Sequence, residues 1–333
     1  MSGMKHLFVI HGRSTKPSEK EKARITRQSL LHGLDRGHSE VAARIRQKSG
    51  PGKVKLSFIY YGDISNALIL DRNPSKANRL SGTDPAHGNA KCEPDAFYDE
   101  GLKLLYAHNS HNKSAYKKLL RDNPDARWID NVASVISVLG NLSGLSDRLI
   151  SAATADLGAY LLTRKTGSAI RERLQKPLRK ALLKGDDVCL LSHSMGCMVS
   201  YDVLWKFSQM SEYRDVQDSK RRISKWITLG NPLGEPGVRK NLYDADEPDD
   251  GRYPKNIIKD WVNLSAQDDF ICHDSTVKDD FKEMKKWGYV ESISDRKIYN
   301  FWLGKKTSNP HKFYGYLDNP YVAREVADWA NTP

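Results

Sequence analysis

At 333 residues the chain is long enough for one large α/β domain and can bury a sizeable core without disulfide staples. Its four cysteines (Cys92, Cys189, Cys197, Cys272) form no C-x-x-C pair and no zinc spacing, which excludes a disulfide scaffold and points to incidental thiols in a reducing compartment. The net charge of +12 admits a polyanionic partner, but no nucleic-acid-binding motif accompanies it, so nucleic acid is not expected.

The opening MSGMKHLFVIHG has too short an apolar run for a signal peptide, and nothing approaches the ~20 apolar residues of a membrane span. A cytoplasmic location is therefore expected, with signal-less export left open. KHLFVI (5–10) reads as a strand ending abruptly at His11-Gly12, residues 21–48 carry helical spacing, and KVKLSFIYYG (53–62) is the next strand. About a hundred residues then fit no strand–helix rhythm. Within them 71–99 reads as loop, and 131–162 is apolar, helical in pattern and broken by glycines. We expect 64–166 to be an insertion in a single domain spanning 1–333, because the sheet needs strands from both sides of it.

Residues 164–184 hold eight basic residues against one acidic. Ile170, Leu174, Leu178 and Leu182 recur every four residues, the stripe of an amphipathic helix, which Pro177 should kink or restart. The basic side suits a solvated face or an anionic membrane surface. DVCLLS (187–192), RISKWITLG (222–230), KDWVNLS (259–265) and KIYNFW (297–302) follow as strands, with a helix over about 195–209. A last helix is capped by Asn319, opens on Pro320 and sets Val322, Val326 and Trp329 on one face. Alternating strands and helices imply a mostly parallel sheet covered on both faces.

One junction carries chemistry. In Ser192-His193-Ser194-Met195-Gly196 an apolar strand meets a helix striped by Val199, Val203 and Phe207. Small residues stand two before and two after Ser194, where a sharp strand-to-helix turn needs them. Such a turn strains the central residue and presents its side chain above a helix N-terminus, whose N–H groups stabilise an oxyanion.

This stretch resembles the nucleophile elbow of the α/β-hydrolase superfamily, G-x-S-x-G, with Ser192 in place of the first glycine. The resemblance covers most of the chain outside 64–166. It implies an α/β-hydrolase fold with a large helical and loop insertion acting as a cap, and Ser194 as nucleophile, with Ser192, Gly196 and Gly12 shaping the turns. FVIHGRS (8–14) is similar to the superfamily's oxyanion loop, which makes the N–H of Arg13 or Ser14 a partner for that of Met195. Superfamily order places an acid after a later strand and a histidine near the end. WVNLSAQDDFICHD (261–274) offers Asp269 as the acid, with Asp268 as the alternative, and NPHKFYGYLDNPYV (309–322) offers His311 as the base, ahead of His273. His193 is expected to shape the turn. TLGNPLGEP (228–236) is similar to a strand end found in lipase-like members, including the group related to glycosylphosphatidylinositol deacylases, although a Gly/Pro-rich loop would form there whatever the function.

The expected activity is hydrolysis of carboxylic esters, lipid-like or acyl, through a Ser-His-Asp triad and an acyl-enzyme. Thioesterase and peptidase chemistry on the same triad, or a non-enzymatic basic binding module on a hydrolase scaffold, are the alternatives. The partner implied is a small-molecule ester or lipid. No cofactor is implied, and HNSHNKS (108–114) lacks the Cys or carboxylate to complete a metal shell. Oligomeric state is not legible.

Overall fold

The computed structural model describes residues 3–13, 16–72, 96–123, 155–269, 271, 276–303 and 308–333. Ser14, His273, Cys92, Cys272 and most of the expected insertion lie outside the described residues.

Among the described residues six strands form one wholly parallel sheet: β1 (Lys5–Ile10), β2 (Val54–Ile59), β3 (Asp187–His193), β4 (Ile223–Leu229), β5 (Ile258–Ala266) and β6 (Ser292–Ile298). Their order is β2-β1-β3-β4-β5-β6. The continuous apolar runs of β1 and β3 follow from burial on both faces. Leu7, Val9, Cys189 and Leu191 enter one core, and Phe8, Ile10, Val188 and Leu190 enter the other. Both described cysteines, Cys189 and Cys197, are buried free thiols, and burial pushes each thiol well up from its ordinary value.

The helices are α1 (Glu19–Asp35), α2 (Ser39–Arg46), α3 (Gly62–Arg72), α4 (Ala96–Tyr106), α5 (Lys113–Asp122), α6 (Ala155–Leu162), α7 (Arg164–Lys184), α8 (Met195–Gln209), α9 (Arg214–Ser219), α10 (Pro236–Arg239), α11 (Lys282–Lys286), α12 (Phe313–Leu317) and α13 (Pro320–Asn331). Leu174, Leu178, Val199, Val203 and Phe207 of α7 and α8 pack on one face of the sheet. Ile25, Leu34, Val41, Val322 and Val326 of α1, α2 and α13 pack on the other. The Asn319 side chain accepts from the Tyr321 N–H, so α13 starts where its cap predicts.

Three expectations are corrected. Helix α7 runs unbroken through Pro177. Its stripe of Ile170, Leu174, Leu178 and Leu182 is fully buried on both sides of the proline, and this packing outweighs one lost hydrogen bond. KIYNFW is not a strand beyond Ile298, and β6 instead begins at the polar Ser292. The buried Asn300 amide donates to the carbonyls of Pro310 and Lys312 and its oxygen accepts from the Trp302 N–H, drawing the backbone off the ladder. The loop expected over 71–99 is helical at both margins, where α3 ends and α4 begins.

Four of the eight basic residues of α7 have acidic partners: Arg171 with Asp202, Arg173 with Asp63, Lys176 with Glu172 and Arg179 with Asp215. Three of these acids, Asp63, Asp202 and Asp215, come from outside 164–184, so the fold neutralises part of that segment's charge bias. Among the described residues no helix is long and apolar enough to cross a membrane.

Asp318, fully buried between α12 and α13, ties three segments together. His32 Nδ1 lies 2.5 Å from its carboxylate, Arg36 Nη1 2.7 Å and His111 Nε2 3.6 Å. Burial raises the carboxyl, but His111, His32 and the Arg36 charge outweigh it and hold it below the ordinary carboxylate range. A folded value below the unfolded one stabilises the fold above the unfolded carboxyl's pKa, and that stability is lost as pH falls through the folded value. Asp318→Ala strands the Arg36 guanidinium and takes away the acceptor shared by the two imidazoles, and urea unfolding at neutral pH should show a loss of about 3–5 kcal/mol. The deficit should shrink on acidification.

Candidate active site at the carboxyl edge of the sheet

Strand β1 has β2 on one side and β3 on the other, so the chain's direction of winding reverses between β1 and β3. In open parallel sheets, such a reversal leaves a crevice beyond the strands' carboxyl ends, where ligands bind. Ile10 pairs with Ser192 in register, so His11-Gly12-Arg13 and His193-Ser194 emerge side by side at that crevice.

Ser194 caps α8 with φ 54° and ψ −127°, a backbone conformation that costs a non-glycine residue about 1–3 kcal/mol. Its N–H donates to the Leu229 carbonyl at 3.0 Å, which helps hold the strained turn. Met195 and Gly196 open α8, where N–H groups lack an intrahelical acceptor by position. A small cavity at Ser194 is lined by Arg13, Leu157, Met195, Met198, Pro232 and Ile271.

Close approach dictates the glycines. A Cβ on Gly12 would stand 2.7 Å from Ser194 Cβ, and one on Gly196 would stand 2.6 Å from the His11 carbonyl oxygen. Ser192 is accommodated rather than merely tolerated. Its buried hydroxyl meets Ser200 Oγ at 2.8 Å and accepts from Trp226 Nε1 at 3.0 Å. Ser192→Ala leaves the indole N–H without this acceptor, and thermal or denaturant unfolding should register a loss of about 1–3 kcal/mol.

His311 stands between Ser194 and Asp269. Its Nε2 is 2.9 Å from Ser194 Oγ, and its Nδ1 is 2.9 and 3.0 Å from the two Asp269 oxygens. Asp269 also accepts from the Ile271 N–H at 3.1 Å and from the Tyr316 hydroxyl at 2.6 Å. Burial raises its carboxyl, but the His311 charge and these donors more than offset that and leave it below the ordinary range. An ionised carboxylate only accepts, so Nδ1 carries the imidazole proton and Nε2 is left to accept the Ser194 hydroxyl proton. Asp268, the alternative acid, is exposed with φ 64° and meets Gln267 instead.

Several residues of this arrangement escaped the sequence reading. Tyr316 accepts from the Ala266 N–H while donating to Asp269, so it locks the carboxylate to the end of β5. Nothing in FYGYL announces that role. Gly230, read only as part of a loop, has φ 52°, and a Cβ there would lie 3.0 Å from both Asp269 Oδ2 and the His311 ring. The His11 side chain belongs to the same arrangement. Its Nδ1–H donates to the Gly12 carbonyl at 2.7 Å and its Nε2 accepts from the Tyr61 N–H at 3.1 Å. Full burial, with Lys16 and Lys22 nearby, pushes this imidazole well below its ordinary value, so it stays neutral and pins the Gly12–Arg13 peptide.

A hydroxyl on a strained turn, a general base within hydrogen-bond reach and a carboxylate orienting that base can together carry out nucleophilic substitution at an acyl carbon. No protein-family model matches the chain, and comparison with curated proteins and with solved structures gives no match.

Proposed function

We propose that this chain is a serine hydrolase of carboxylic esters on an α/β-hydrolase scaffold. The observation that carries this reading is the unbroken Ser194–His311–Asp269 hydrogen-bond chain, with Ser194 strained at the N-terminus of α8. The placement of serine after β3, acid after β5 and histidine between β6 and α13 agrees with the order the superfamily resemblance implies.

In this mechanism Ser194 Oγ attacks the ester carbonyl while His311 Nε2 takes its proton. Asp269 stabilises the imidazolium. The tetrahedral oxyanion is held by the N–H of Met195 and by the N–H of Arg13 or Ser14. His311 then protonates the departing alkoxide, leaving an acyl-enzyme, and activates the water that releases the acid. The apolar cavity lining and Leu157 of α6 favour an acyl or lipid-like substrate, with α6 contributing to a cap over the serine. Thioesters and peptides present the same carbonyl chemistry to the same groups, so the assignment is to acyl transfer first and to esters within it.

The test is covalent labelling by a fluorophosphonate. Wild type should be labelled, and Ser194→Ala and His311→Ala should not. A folded wild-type protein that takes up no label would overturn the assignment.

A further inference from the structure

We propose that His193, the residue before the serine, is a positioning residue that holds the base at its working distance by donating its Nε2–H to the backbone carbonyl of His311. This inference rests on the assignment of Ser194 and His311 as nucleophile and base.

Both backbone groups of His311 are held from outside. Its N–H donates to Asn309 Oδ1 at 3.0 Å, and its carbonyl oxygen lies 2.9 Å from His193 Nε2. The Asn309 contact is local to the loop. The His193 contact joins that loop to the end of β3, one residue from the hydroxyl the base must reach. A single rigid turn therefore positions both reacting groups.

The His193 ring suits the task. It is only 5% exposed and stacks on Phe313, with centroids 4.8 Å apart and planes 27° apart. A carbonyl can only accept, so the ring proton sits on Nε2. That leaves Nδ1 bare, and it is a buried nitrogen with no hydrogen-bond partner among the described residues. It faces Gly12, where a Cβ would come within 2.9 Å. Burial first, then the neighbouring His311 and the charges of Lys22 and Lys16, push the His193 imidazole well below its ordinary value, against the pull of the His311 carbonyl. It therefore stays neutral beside a His311 ring only 4.7 Å away, which must become cationic during the reaction. A second cation there would oppose that step.

Three variants separate the donor from the ring. His193→Gln keeps an N–H able to reach the His311 carbonyl, His193→Leu keeps bulk without a donor, and His193→Phe keeps the stack on Phe313 without a donor. With a p-nitrophenyl ester, His193→Leu and His193→Phe should lose about 10- to 100-fold in kcat with KM changed less than about twofold, while His193→Gln stays within about threefold of wild type. Fluorophosphonate labelling rates should follow kcat. Circular dichroism and thermal midpoints establish which variants fold, and either donor-less variant suffices for the comparison. Wild-type kcat in a folded donor-less variant would overturn the proposal, as would equal losses in His193→Gln and the donor-less variants. Failure of wild type itself to label would remove the underlying assignment, a result distinct from labelling that is indifferent to residue 193.

Discussion

Ser194→Ala should lower kcat for ester hydrolysis by about 10⁶-fold, since the serine and its base act as a unit and removing either forfeits nearly all their joint effect. Residual turnover above that of water should persist if the proposed oxyanion donors, Met195 with Arg13 or Ser14, act independently of the serine. Stability provides a second readout. The backbone at φ 54° is strained for any residue with a Cβ, alanine included, and glycine adopts it freely. Ser194→Gly should therefore be as inactive as Ser194→Ala yet more stable by about 1 kcal/mol, after allowing for the greater chain entropy of unfolded glycine. Equal unfolding midpoints would mean the strain at this residue does not exceed the entropy cost of glycine. Retained hydrolysis in both variants would dismiss Ser194 as nucleophile.

Asp269→Asn should lower kcat by about 10⁴-fold with the fold intact. The amide can donate to His311 Nδ1, which moves the ring proton to Nε2 and leaves nothing to accept the Ser194 hydroxyl. The Ala266 N–H keeps its bond to the Tyr316 hydroxyl, so the end of β5 remains anchored. Steady-state kinetics should show the loss in kcat rather than KM. In wild type the Asp269 carboxyl lies below its ordinary range, so mild acid does not neutralise it and the acidic fall in activity should not report this group. Asp268→Asn is the matched control. That residue is exposed and meets Gln267, whereas the imidazole is held by Asp269, so the change should leave kcat nearly untouched.

Legibility in the sequence followed the range of the interactions. The apolar runs of β1 and β3, the stripe of α7 and the Asn319 cap are set by neighbours a few residues away, and each could be read from spacing alone. Pro177 misled because the rule for proline is local whereas α7 is held by the sheet beneath it. KIYNFW misled because its apolar alternation ignores Asn300, whose partners Pro310 and Lys312 are ten and twelve residues away. The missing first glycine of the serine turn looked like a defect, yet Trp226, 34 residues on, supplies the donor that makes Ser192 fit.

By itself the sequence determined the alternation of strands and helices, the sharp turn at Ser194 and the positions from which an acid and a base could be drawn. These depend on periodicity and turn chemistry, which are written locally. The tertiary structure alone decided that Asp269 rather than Asp268 faces the imidazole, that Tyr316 and Gly230 frame that pair, and that His193 grips the backbone of His311. Ser194 and His311 are 117 residues apart in the chain, and Asp269 and His311 are 42 apart. Hydrogen bonds across such spans arise from the order in which parallel strands are laid side by side, and they leave no periodic trace in the residues that make them.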